Sequence, residues 1–211
     1  MNVELRDLGV KDYQSVWELQ ERLMEDVQNG GVNRLLFVEH PHVYTLGRNG
    51  HEDNMLHKPE DADLLRVNRG GDITYHGPGQ LVVYTIFRLY DFGGDIRSFV
   101  HNLEEVVIRT IAHYGIKGDR IGKAAGVWLD TDTPAVRKIC ALGLRCSHAV
   151  TMHGFALNVN TDLDYFGNIN PCGFTDKGVT SIAEETGCQI PMEDVKELIK
   201  QQFTDVFKIS F

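Results

Sequence analysis

A chain of 211 residues, 42% of them hydrophobic, is long enough for one well-filled core and too short for two ordinary domains, so residues 1–211 are read as a single domain. A formal net charge of −9 and a pI near 5.4 exclude a general nucleic-acid binder, which needs Lys and Arg massed against phosphates. The longest apolar run, residues 81–87, is far too short to cross a bilayer, and residues 1–10 show no basic segment followed by an apolar one, so a cytoplasmic, non-membrane protein is expected.

Val16, Leu19, Leu23 and Val27 recur at helical spacing, and Gly30-Gly31 ends that helix. Residues 35–38 and 43–46 read as strands separated by Pro41, and residues 49–63 lose periodicity and gain charge, as an exposed loop does. Further strands are expected at 64–68, 73–75 and 81–87, separated by Gly70-Gly71 and by Gly77-Pro78-Gly79. A second helix over 96–114 carries Phe99, Leu103, Val106, Val107 and Ile111 on one stripe and stops at Gly115. Strands follow at 127–129, 138–145 and 152–159, and Pro191 opens a last helix over 192–207. Helices and strands do not alternate, and most strand connections are too short for a parallel crossover. The expected class is α+β: a largely antiparallel sheet packed with helices.

Neither a P-loop nor a G-x-G-x-x-G fingerprint is present, so no nucleotide cofactor is called for by motif. The histidines and cysteines lack zinc-ligand spacing, and no metal is expected. Cys140, Cys146, Cys172 and Cys188 form no C-x-x-C pair and no disulfide framework, which suits free thiols in a reducing compartment. Basic residues gather at Arg66 and Arg69, at Lys117, Arg120 and Lys123, and at Arg137, Lys138 and Arg145, offering an acidic partner places to dock.

The densest unusual segment is Arg69-Gly70-Gly71-Asp72-Ile73-Thr74-Tyr75-His76-Gly77-Pro78-Gly79-Gln80. From the residues alone it reads either as two tight turns around a short strand or as the lining of a site. In Asn170-Pro171-Cys172-Gly173 a cysteine sits between a proline and a glycine, which favours a shaped loop; by itself it is one cysteine among four.

Together these segments resemble the lipoyl(octanoyl) transferase family, whose signature R-G-G-D-x-T-[FY]-H-G-P-G-Q is matched at every fixed position. The resemblance continues through Lys138-Ile139-Cys140-Ala141-Leu142-Gly143, His153-Gly154-Phe155-Ala156-Leu157-Asn158 and Asn170-Pro171-Cys172-Gly173, in the same order, across residues 34–182. It implies a fold shared with biotin and lipoate ligases, and transfer of an octanoyl or lipoyl group without a cofactor. The donor would be octanoyl-acyl carrier protein. The acceptors would be lysines of the lipoyl domains of 2-oxoacid dehydrogenases and of the glycine cleavage H protein, served by a monomeric enzyme. Cys172 would be the nucleophile and Lys138 the residue that manages protons. Substrate contacts would come from Arg69, Gly70, Gly71, Asp72, Ile73, Thr74, Tyr75 and His76, from Ala141, Leu142 and Gly143, and from Gly154, Phe155 and Ala156. For Arg69, Asp72 and His76, structural support or contact with the partner weighs slightly above catalysis.

Other readings are an ATP-dependent ligase of the same fold, a Cys/His thioesterase or amidase using Cys172 with His76 or His153, and an inactive module that binds a carrier protein. A thiol nucleophile is superfluous in adenylate chemistry, which favours the transferase.

Overall fold

The apolar runs near residues 81–86 and 152–157 leave no polar face for solvent, so both must be covered on either side. In the computed structural model, which describes residues 1–122, 124–170 and 178–211, they are the two central strands of a sheet clad by helices on both faces. The elements in chain order are β1 (Glu4–Val10), α1 (Tyr13–Gln28), β2 (Arg34–Glu39), β3 (Val43–Leu46), β4 (Asp63–Arg66), β5 (Ile73–His76), β6 (Gln80–Ile86) and α2 (Ile96–Ala112). They continue with β7 (Asp119–Ile121), β8 (Ala124–Leu129), β9 (Arg137–Ser147), β10 (Val150–Asn158), β11 (Gly178–Val179), α3 (Ile182–Thr186) and α4 (Met192–Phe207).

Among the described residues the large sheet runs β1-β2-β6-β10-β9-β8-β7. Its pairings are antiparallel except β1 on β2, and β11, which joins β9 in parallel at Arg137 and Lys138 where β10 has ended at Cys140. A small sheet in the order β4-β3-β5 stands beside it. The expected α+β class with a mainly antiparallel sheet is what the chain adopts.

Helix α1 starts where the Asp12 carboxylate accepts the Ser15 N–H at 2.8 Å, and it lays Val16, Leu23, Met24 and Val27 on one face of the sheet, against Leu36, Val82, Tyr84 and Met152. Helix α2, capped by Asp95, and helix α4 cover the opposite face with Phe99, Leu103, Val107, Ile199 and Phe203. Strand β1 was not expected. It is an edge strand, half-exposed and charged, so its sequence carries no clean alternation. Nor was β4 anticipated to begin at Asp63, inside the span read as loop. The β9–β10 hairpin turns through His148-Ala149, both at positive φ (48° and 57°), without the Asn-Gly signal such turns usually carry.

Phe203 is fully buried and its ring meets those of Phe87, Phe155 and Phe207. Phe203→Ala should therefore cost about 3–5 kcal/mol, read as a lower urea midpoint of unfolding.

Candidate active site

Between the small sheet and strands β9 and β10 lies a cavity of about 530 Å³, within the usual size for a small-molecule site. Its walls include Arg69, Gly70, Gly71, Asp72, Ile73, Thr74 and His76 from the first motif, Lys138, Ala141, Leu142 and Gly143 from β9, and Gly154, Phe155 and Ala156 from β10. Three segments far apart in sequence are thus brought to one space. Tyr75 is placed elsewhere: its ring packs with Tyr44, Tyr165 and Phe166 on the far side of β5, and its hydroxyl bonds His42 Nδ1 at 2.7 Å. That follows from the period of two in a strand, which turns Thr74 and His76 one way and Tyr75 the other.

The first motif is fastened to β9 by its main chain. Gly70 N–H donates to the Leu144 carbonyl at 3.0 Å, and a Cβ at Gly143 would lie 2.9 Å from the Gly70 carbonyl oxygen. Only a residue without a side chain lets the two backbones approach this closely. Arg69 holds the other side. It is buried, and its guanidinium donates to the Thr45 carbonyl at 2.5 Å, to Thr45 Oγ1 and to the Gly70 carbonyl at 2.9 Å. The Asp72 carboxylate accepts from its neighbour Ile73 N–H at 2.7 Å and from Asn54 Nδ2 at 2.5 Å, fixing the 49–54 loop to the cavity rim. These contacts make Arg69 and Asp72 loop-shaping residues.

His76 belongs to a buried chain of side-chain amides. Its Nδ1 bonds Gln80 Oε1 at 2.7 Å; Gln80 Nε2 donates to Asn158 Oδ1 at 2.9 Å; Asn158 Nδ2 donates to the Thr180 carbonyl at 2.9 Å. With both amides oriented by their donors, Nδ1 of His76 must carry the proton and Nε2 the lone pair. The chain links the first motif, the end of β10 and the residue after β11.

Burial, reinforced by repulsion from His40 when that ring is protonated and from Arg69, holds His76 down to about 3. Burial takes His40 to about 4 and His153 to about 3, the latter helped by Arg69 and Arg145. All three rings are neutral at physiological pH, so general acid work by imidazolium is not on offer here. His153 adopts φ 63° within β10, and its Nδ1 has no hydrogen-bond partner among the described residues.

Lys138 stands half-buried on the wall, with Nζ 4.4 Å from the Trp128 ring centroid and 3.5 Å from the Ala125 carbonyl oxygen. Cys172 lies outside the described residues. Of the cysteines described, none lines the cavity: Cys140 is buried and its thiol is pushed up by that burial, Cys146 is also raised by burial, and Cys188 is exposed. The sequence reading did not single out Tyr13, Tyr84, Trp128 or Val179, all of which line the cavity. Tyr84 and Trp128 sit in runs that read simply as core strand, and Tyr13 precedes the apolar stripe of α1. In the described residues there is no cluster of three His, Cys, Asp or Glu side chains suited to a metal, and no helix long and apolar enough to cross a membrane.

Comparison with known proteins places this geometry. The model of the lipoyl protein ligase A/B catalytic domain matches residues 12–204. An octanoyltransferase of Bacteroides fragilis is 54% identical over 201 residues, covering 90% of this chain and 91% of its relative. One of Bacteroides thetaiotaomicron is 49% identical over 211 residues (95% and 93% covered). Among solved structures, lipoate-protein ligase A bound with ATP superposes with a TM-score of 0.81 at 19% identity, covering 100% of this chain and 87% of that one. Biotin protein ligase from Aquifex aeolicus gives 0.55 at 14% identity, with 99% and 69% covered. At such identities these structures speak for the fold alone.

The three buried histidines give stability a pH signature. Their folded values lie below the ordinary ~6.5, so as pH falls beneath ~6.5 the unfolded chain binds protons that the folded chain refuses. Stability is complete above ~6.5 and is lost toward pH 4, by up to about 1.4 kcal/mol per pH unit for each histidine. Urea unfolding at pH 6.5, 5.5 and 4.5 should show this slope, and His76→Gln should flatten it by about a third; an unchanged stability across the range would show the rings to be open to protons.

Proposed function

The chain belongs to the lipoyl protein ligase A/B catalytic-domain family, and from that premise we propose that it catalyses octanoyl transfer through a thioester on Cys172, with Lys138 moving the protons. It is an acyltransferase of protein lipoylation, its relatives at 44–54% identity over most of the chain being octanoyltransferases, and lipoyl-domain proteins are its protein substrates. The donor in this reading is octanoyl-acyl carrier protein. The acceptors are lysines on the lipoyl domains of 2-oxoacid dehydrogenases and on the glycine cleavage H protein.

The observation that carries the reading is the place of Lys138. It lies on the cavity wall, and directly across the parallel β9–β11 ladder is Val179, in the strand that follows Cys172 in sequence. Thr180 N–H bonds the Lys138 carbonyl at 2.9 Å. None of the described cysteines lines the cavity, and the buried Cys140 thiol in addition resists ionisation.

A free cysteine is only a few per cent thiolate at neutral pH, and an adjacent ammonium favours the thiolate. In the first step the Cys172 sulfur attacks the carrier-bound thioester carbonyl, the bond to the phosphopantetheine sulfur breaks, and Lys138 delivers a proton to that leaving thiol. In the second step the neutral Lys138 amine accepts a proton from the ε-ammonium of the acceptor lysine, whose nitrogen attacks the acyl-enzyme. An amide forms and the Cys172 thiol is restored. Exchange between thioesters is near neutral and amide formation is downhill, so no nucleotide is consumed.

Mixing the enzyme with octanoyl carrier protein should add one octanoyl mass, removed by a subsequent apo lipoyl domain. Cys172→Ser should abolish the labile thioester adduct, and Lys138→Ala should slow both half-reactions by at least about a hundredfold. An adduct that persists on Cys140 or Cys146 in the Ser variant would sink the nucleophile assignment.

A further inference from the structure

The lysine on the cavity wall is held by an irregularity in its own sheet. Strands β8 and β9 pair Gly126 with Ala141 and Val127 with Cys140, and then the register shifts, setting Trp128 against Lys138 and Leu129 against Arg137. Regular pairing would place Trp128 opposite Ile139. The extra residue on β9 is a bulge: it sends both Ile139 and Cys140 into the core with Val127 and Leu129, and it brings Trp128 and Lys138 to the cavity side together.

Both partners are fixed. Trp128 is 2% exposed and its indole Nε1 donates to the Ala124 carbonyl at 3.0 Å, which sets the ring plane. The start of β8 is held from behind by the buried Glu104 carboxylate, which accepts the Gly126 N–H at 3.0 Å. Gly126 has φ 122°, and a Cβ there would lie 2.3 Å from the Cys140 carbonyl oxygen, so the bulge requires glycine. Against this platform the Lys138 ammonium, 4.4 Å from the ring centroid, is well inside the ~6 Å range in which an aromatic face attracts a cation.

We propose that Trp128 is a positioning residue for octanoyl transfer: its indole face holds the Lys138 ammonium at one point of the cavity wall, from which the proton is delivered to the departing carrier thiol. This rests on the role given above to Lys138. Tryptophan is the strongest aromatic partner for a cation, phenylalanine a weaker one, and an aliphatic side chain supplies none. A residue that merely filled the wall would depend on shape alone.

Fluorination separates the two, because it drains the negative ring face while leaving the shape almost unchanged. The chain has two tryptophans. In a Trp17→Phe background, mono-, di- and trifluorotryptophan can be placed at Trp128 alone and single-turnover acylation by octanoyl carrier protein followed by mass. The rate should fall stepwise with fluorine number, by about tenfold over the series, with the half-saturating carrier concentration unchanged. Trp128→Phe should keep more activity than Trp128→Leu. A rate flat across the fluorine series, with Lys138→Ala inactive, overturns the Trp128 proposal and leaves the octanoyl-transfer reading standing. Full acylation by Lys138→Ala would instead remove Lys138 from the mechanism, and Trp128 with it.

Discussion

The cavity exists because one stretch of backbone rests directly on another. Gly70 N–H meets the Leu144 carbonyl, and Gly143 lies against the Gly70 carbonyl with no side chain between them. This contact ties the small sheet to the large one at the point where the chain turns into the first motif. Arg69 reinforces it by reaching back to Thr45 on β3, and Asp72 by gathering the 49–54 loop. Each of these polar groups is buried or half-buried and each is satisfied, so the rim is rigid although much of it is loop.

A rigid rim suits transfer between two protein-borne groups. In the proposed reaction the carrier and the lipoyl domain would each present the reacting atom at the end of a long arm. Such a reaction asks for a fixed proton carrier more than for a moving lid. The buried histidines, neutral at physiological pH, build the wall and are consistent with the role proposed for Lys138.

Much of the site could be read from the residues because glycine-rich, polar strands make little sense as core. The first motif stands out for that reason, and its neighbours on β9 and β10 are found by the resemblance that orders them. What the sequence does not display is direction. Tyr75 sits in the middle of the motif yet turns from the cavity, since one residue's step along a strand reverses its side chain. Trp128 lies in an apolar run that looks like any core strand, and only the bulge at Ile139 on the neighbouring strand sets it against Lys138. Similarly, β1 and the His148-Ala149 turn depend on long-range pairing, which local composition does not record.

The amide chain from His76 through Gln80 and Asn158 to Thr180 has a consequence for how such chains diverge. Each amide is both giver and taker in a place sealed from water, so a carboxylate at either position would bury an unmatched charge and an aliphatic one would orphan its neighbour. Gln80 and Asn158, 78 residues apart, are therefore physically coupled: a change at one is expected to demand a change at the other. Chimeras that splice two relatives between these positions will tolerate the join only where both parents carry the same pair.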